Sequence, residues 1–257
     1  MTPLMEVTTL RKAFAGVVAL DGLDTRIEEG EILGLVGANG AGKTTALNVI
    51  GGQLTPDSGV VRLAGERIES LPPWRRARLG VGRTFQDSRM WLDLTAEEHL
   101  RIAIEASHGH QSRESRPDAI EDMRSSVELP KQMLTCLPSQ MRLLDRRRVE
   151  LAMAALNASN ILLIDEIGAG LDIEEASILY RLIAALIGRR RVRAAVLVEH
   201  KLELLAAFAT VIELMEDGKV VQQARCDDPV QVAHLMDRMF DSHSSGPLKA
   251  KQTELVP

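Results

Sequence analysis

Residues Gly37-Ala38-Asn39-Gly40-Ala41-Gly42-Lys43-Thr44 fit the pattern GxxxxGK[ST], a P-loop, between an aliphatic run, Ile32 to Val36, and a stretch with helical character. Glycines at these positions let the backbone curl so that several N–H groups point at phosphate oxygens, at the positive end of the following helix. The Lys43 ammonium adds a point charge at the β- and γ-phosphates, and the Thr44 hydroxyl can ligate Mg²⁺. Gly37, Asn39, Gly40, Ala41, Gly42, Lys43, Thr44 and Thr45 are therefore the candidate nucleotide-binding residues of this segment. The plainer reading is a glycine-rich turn that only joins strand to helix. A second segment, ILLIDE at 161–166, has four aliphatic residues and then two acids. It reads as a buried parallel strand emptying into the crevice where open α/β sheets bind ligands. Asp165 would then hold Mg²⁺ through water and Glu166 would polarise the attacking water. Taken alone, such a segment is equally a strand followed by a solvated loop. A third strand, AAVLVEH at 194–200, ends in Glu199 and His200 at what would be the same sheet edge.

Elements that can position these groups are legible in the patterning. The chain has 257 residues, 45% hydrophobic but 3% aromatic, so its interior is aliphatic, as in α/β proteins whose helices cover a parallel sheet. MEVTTLRKAF, VVALDGLDTRIEEG and GVVRLAGERI read as strands separated by Gly and Asp turns. VIELMEDGKVVQ reads as a hairpin turning at Asp217-Gly218. After Pro229, Val232, Leu235, Met236, Met239 and Phe240 recur at helical spacing, and the polar segment DSHSSGPLKAKQTELVP beyond them reads as a mobile tail.

Composition excludes other classes. The net charge of −5 gives no general attraction for nucleic acid, so no nucleic-acid partner is expected. Cys136 and Cys226 stand in no metal-like or redox-like spacing, which fits a reducing cytosol. No signal pattern opens the chain and its apolar runs are too short to span a bilayer, so any membrane role comes through a partner. His108 and His110, in SHGHQSRESRPD, lack a third ligand nearby and read as part of a solvated loop.

From about residue 5 to 225 the order of elements resembles the nucleotide-binding subunits of ABC transporters. Phe14, in LRKAF, matches the aromatic that stacks on adenine. Gln86, closing GRTFQ, matches the glutamine that touches Mg²⁺ and the nucleophilic water, GAGLD at 168–172 looks like the D-loop, and His200 like the histidine that contacts the γ-phosphate. The plainer readings are a core aromatic at Phe14, a surface glutamine at Gln86 and a helix N-cap at Asp172. VVALDGL, LPPWRRARLGVGRTFQ and DLTAEEHL look most like the ATPase subunits of branched-chain amino acid importers. The resemblance implies an α/β P-loop NTPase, the ABC ATPase fold: a RecA-like core with an antiparallel β layer and an α-helical subdomain. Residues 1–86 would be the P-loop half with the β layer, 87–146 the helical subdomain, 147–225 the second half of the core, and 226–257 a C-terminal helix and tail. It implies ATP and Mg²⁺ as cofactors, membrane permease subunits as partners, a head-to-tail dimer over two nucleotides, and a cytoplasmic position on the inner face of the membrane.

One motif departs from the family. Counted back without gaps from ILLIDE, RRVELAMAAL falls on the helix that runs toward that strand, and MRLLD at 141–145 falls where the family has LSGGQ. There the serine hydroxyl and glycine N–H groups reach the γ-phosphate held by the other subunit. Arg142 replaces the serine, Leu143 and Leu144 the glycines, and Asp145 the glutamine. This side is expected to be a poor γ-phosphate clamp, with a second ATPase subunit as partner, a different chain in preference to a second copy of this one. An alternative makes Arg142 an arginine finger.

Overall fold

The computed structural model describes residues 2–85, 90–108, 116–199 and 201–244. Gln86, His110 and His200 lie outside the described residues.

Among the described residues the strands form two sheets. Strands β1 (Met5–Phe14), β2 (Val17–Ile27), β4 (Ser58–Leu63) and β5 (Glu66–Arg67) form an antiparallel sheet in the order β2-β1-β4-β5. The second sheet runs β10-β9-β3-β8-β7-β6, from β3 (Ile32–Val36), β6 (Val81–Arg83), β7 (Ile161–Asp165), β8 (Ala194–Val198), β9 (Val211–Glu216) and β10 (Lys219–Arg225). Its strands are parallel except β10, which returns from β9 across Asp217-Gly218. Both turn residues have positive φ (46° and 75°), the primed geometry that matches strand twist.

Strands β3, β7, β8 and β9 of the second sheet are buried on both faces, and their alternation divides the core in two. Ile32 and Val36 of β3, with Leu162, Ile164, Ala195 and Leu197, face one apolar cluster. That cluster is completed by α3 (Ala96–His108), α4 (Arg116–Ser126), α5 (Leu143–Asn157) and α6 (Ile173–Gly188). Leu33 and Leu35, with Ile161, Leu163, Ala194 and Val196, face the other cluster, which holds α1 (Lys43–Ile50) and the antiparallel sheet. The sheet is thus the middle layer, and α1 lies between it and the β layer.

Asp172 caps α6, its Oδ1 accepting from Glu175 N at 2.8 Å. The division drawn in the sequence at 146/147 falls inside α5. Two short helices complete the core strands' flanks, α2 (Pro73–Arg78) and α7 (Leu202–Phe208). The C-terminal helix α8 runs from Pro229 to Ser244. It therefore takes in Asp241 to Ser244, expected to belong to the tail, because the first helix-breaking pair is Gly246-Pro247.

Candidate nucleotide site

Parallel register brings three strand ends to one edge. Leu35 of β3 and Asp165 of β7 both pair with Val198 of β8, so the P-loop, Asp165-Glu166 and Glu199 leave the sheet together.

The loop from Gly37 to Gly42 is wedged by backbone on two sides. A Cβ at Gly37 would stand 2.3 Å from the Met215 carbonyl oxygen and one at Gly42 2.4 Å from that of Ala19, and both have φ above 100°. Only glycine meets both demands. Ala41 is buried and ties the loop to the β9–β10 turn, its carbonyl accepting from Gly218 N at 3.1 Å. Gly37 and Ala41 thus shape the loop, whereas Asn39, Gly40, Gly42, Lys43, Thr44 and Thr45 line a cavity of about 170 Å³, with Glu166 and Ala19 on its rim.

Lys43 opens α1, and its Nζ reaches back across the loop, donating to the carbonyls of Gly37 at 2.7 Å and Ala38 at 3.0 Å. Burial pulls its ammonium below the ordinary value, against the Glu166 and Asp165 carboxylates that favour the charge. The Thr44 hydroxyl donates to Asp165 Oδ1 at 3.4 Å. Asp165 is itself buried, and burial pushes its carboxyl up while the Arg83 guanidinium opposes the rise. Arg83 Nη2 stands 3.6 Å from Asp165 Oδ2, and the Asp165 N–H donates to the Thr84 hydroxyl at 3.4 Å. Glu166 has a left-handed backbone, φ 47°, held by its N–H donating to the Val198 carbonyl and its own carbonyl accepting from Ala169 N, both at 3.0 Å. For a non-glycine residue that costs about 1–2 kcal/mol, and it turns the chain so that Glu166 reaches the cavity.

Glu199 is buried, and Tyr180, deep in α6, donates its hydroxyl to Glu199 Oε2 at 2.5 Å. Burial and that carboxylate push the phenol well above its ordinary value. Lys201 N donates to Glu199 Oε1 at 3.3 Å, and Lys201 Nζ donates to the Leu171 carbonyl at 3.2 Å, joining this segment to GAGLD. Phe14 lies at the end of β1 opposite Val17, 43% exposed, with Lys12 Nζ 5.6 Å from its ring centroid. It does not line the P-loop cavity; from the same hairpin Ala19 does.

The segment MRLLD sits at the start of α5, with Arg142 as the N-cap residue. Its side chain is 85% exposed and makes no capping hydrogen bond. Asp145 is buried between Arg148, at 3.4 Å, and Arg142, at 3.8 Å. Leu144 is in the core, and Leu143 Cδ2 would lie 3.0 Å from a Cβ at Gly170. Two positions that are glycine in the family pattern therefore carry side chains that fill space within this chain.

Beside the nucleotide site, Met90 is buried while Trp91 is 52% exposed, so this apolar pair divides between core and surface. His99 is fully buried: the Trp91 N–H donates to its Nε2 at 2.9 Å and its Nδ1 lies 2.7 Å from the Thr95 carbonyl. An amide can only donate and a carbonyl only accept, which fixes a neutral ring protonated on Nδ1. Trp91 and Met90 line a cavity of about 280 Å³ with Arg83, Phe85 and Met153, and a second of about 310 Å³ runs from Arg83 to Trp74 on α2.

Sequence reasoning passed over Arg76, Arg83, Tyr180 and Lys201. Arg83 carried a signal, a long cation inside the short strand VGR, but its partners lie far along the chain.

A glycine loop wedged open ahead of a helix, with a lysine, a threonine and two acids converging on it, defines a P-loop nucleotide-binding protein. The ABC transporter family model matches residues 20–169, and the chain belongs to that family as an ATPase subunit. It is 32% identical, over 84% of its length and 89% of the relative's, to the high-affinity branched-chain amino acid transport ATP-binding protein BraF of Pseudomonas aeruginosa. A ribose import ATP-binding protein, RbsA 1 of Rubrobacter xylanophilus, is 29% identical over 88% of this chain, which spans 45% of that relative. The dimeric structure of MJ0796, a bacterial ABC transporter cassette, superposes with a TM-score of 0.76 at 25% identity, over 86% of this chain and 98% of that one.

Proposed function

We propose that this chain binds Mg-ATP in the P-loop cavity and energises uptake of branched-chain amino acids or a similar small solute through a membrane permease. The observation that carries the reading is the meeting of Lys43, Thr44, Asp165 and Glu166 from two strand ends at one cavity. The donor set suits the ligand: Lys43 already satisfies two carbonyls that a phosphate would replace, and Thr44 and Asp165 offer hard oxygens within reach of one another, as Mg²⁺ requires. Bound Mg²⁺ would neutralise charge on the phosphates. Asn39, Gly40, Gly42 and Thr45 hold the phosphates, Phe14 contacts the base, and Glu166 orients water. Gln86 and His200 complete the set as the family pattern places them.

The subunit works on the inner face of the membrane; no described helix is long and apolar enough to cross it. The Trp91 surface docks a cytoplasmic helix of the permease. In the complex as it co-purifies from membranes, Trp91→Ala should lower transport per ATP hydrolysed while the ATPase of the isolated subunit is retained. Retained transport overturns the docking assignment, and loss of folding would make Trp91 a core residue.

The MRLLD side is a weak clamp, so the partner is a different ATPase subunit with an intact signature. That signature faces this chain's own P-loop and Glu166, making this the productive site.

A further inference from the structure

We propose that Arg83 is a positioning residue for the metal-binding carboxylate: it holds Asp165 aimed at Thr44, and the gain in ATP affinity given by Mg²⁺ depends on it. Arg83 is the last residue of β6, paired with Leu163 of β7, and its side chain reaches α1. Its Nη1 donates to the Leu47 carbonyl at 2.6 Å and to Gln53 Oε1 at 2.7 Å, while Nη2 faces Asp165 Oδ2 at 3.6 Å. Both charged side chains are nearly sealed from water, 6% and 3% exposed. The guanidinium is planar, so pinning one nitrogen on α1 fixes where the other can stand. With Oδ2 facing Arg83, Oδ1 is left toward Thr44 at 3.4 Å, the side on which a shared cation would sit. Thr84, the next residue, braces the backbone of Asp165 as well. Arg83, at the end of an edge strand, and Thr84, just beyond it, thus set the carboxylate and the backbone of Asp165. The Phe85 ring lies 5.2 Å from the Arg83 Cζ and closes that side.

Partners that orient a metal ligand in this way are typically worth about 10–100-fold in metal affinity. The inference rests on the magnesium assignment of Asp165 and Thr44 made above. The test is titration of the full chain with a fluorescent ATP analogue in EDTA and at rising Mg²⁺, for wild type, Arg83→Met and Arg83→Lys. Arg83→Met should raise the Mg²⁺ midpoint roughly 10-fold or more while binding in EDTA stays close to wild type. Arg83→Lys keeps the charge without the fork and should fall between. It also keeps the proposal testable if the methionine variant fails to fold. An unchanged or lowered Mg²⁺ midpoint in the variants overturns the proposal, as does an equal loss of binding in EDTA, which would make Arg83 a brace for α1 alone. A wild type indifferent to Mg²⁺ overturns this proposal and the magnesium assignment together, whereas a responsive wild type with equally responsive variants overturns this proposal alone.

Discussion

Glu213 shows how much a single side chain can hold back. It lies on β9 between Val211 and Met215, on the face that packs against α1 and the β layer, and is 3% exposed. Burial pushes its carboxyl up to about 7 from the ordinary 4.5. A raised acid pKa means that the folded state holds the proton more tightly than the unfolded chain does. Its contribution is therefore most favourable below pH 4.5 and is lost as pH rises through 7, at a cost on the order of 3 kcal/mol. Glu213→Gln should stabilise the protein at pH 8 by up to that amount, about 3 kcal/mol, with the advantage vanishing toward pH 4.5. Urea melts at both pH values check this, and an equal effect at both would contradict it.

Among the elements, α1 matters most, because it presents Lys43 and Thr44 at one end and must be held at the other. Its C-terminal carbonyls, Val49 and Ile50, accept from Arg76 Nη1 at 2.6 and 2.7 Å, and the same guanidinium donates to the Glu69 and Leu71 carbonyls. This cation at the negative end of the helix is fully buried, and burial draws it down to about 10, still charged at neutral pH. Arg76→Met would take the guanidinium from the Ile50, Glu69 and Leu71 carbonyls and leave Val49 only the Gly52 N–H, and should cost about 3–5 kcal/mol, read as a lower urea midpoint with weaker ATP binding. Unchanged stability would show that water replaces the guanidinium. The P-loop, the strands and the 217–218 turn were legible in the sequence because each is set by neighbours a few residues apart. Arg76 reaches carbonyls 27 and 26 residues back, Tyr180 meets Glu199 19 residues on, and Thr44 meets Asp165 across 121. In WRRAR nothing local distinguishes the buried Arg76 from the exposed Arg75 and Arg78; only the folded α2 does.

For the whole molecule, the two functional edges are unequal. The edge bearing the P-loop brings Lys43, Thr44 and Glu166 to one cavity with Asp165 beside them, whereas the start of α5 offers an arginine and two leucines where the family pattern has serine and glycines. Loss of one preorganised donor of that kind costs about 2.7–4 kcal/mol, or roughly 10²–10³ in turnover. Arg142→Ala should then leave the ATPase of the assembled complex nearly unchanged; a collapse would instead make Arg142 the trans-acting finger. A complex with one productive site, built on this chain, should lose its turnover when that site's glutamate is removed. The most direct measurement is steady-state ATP hydrolysis by the complex that co-purifies with this chain, carrying wild-type Glu166 or Glu166→Gln. Mg-ATP binding should be retained and turnover should fall about 10²-fold or more. Turnover at the wild-type rate, or at about half of it, would contradict this.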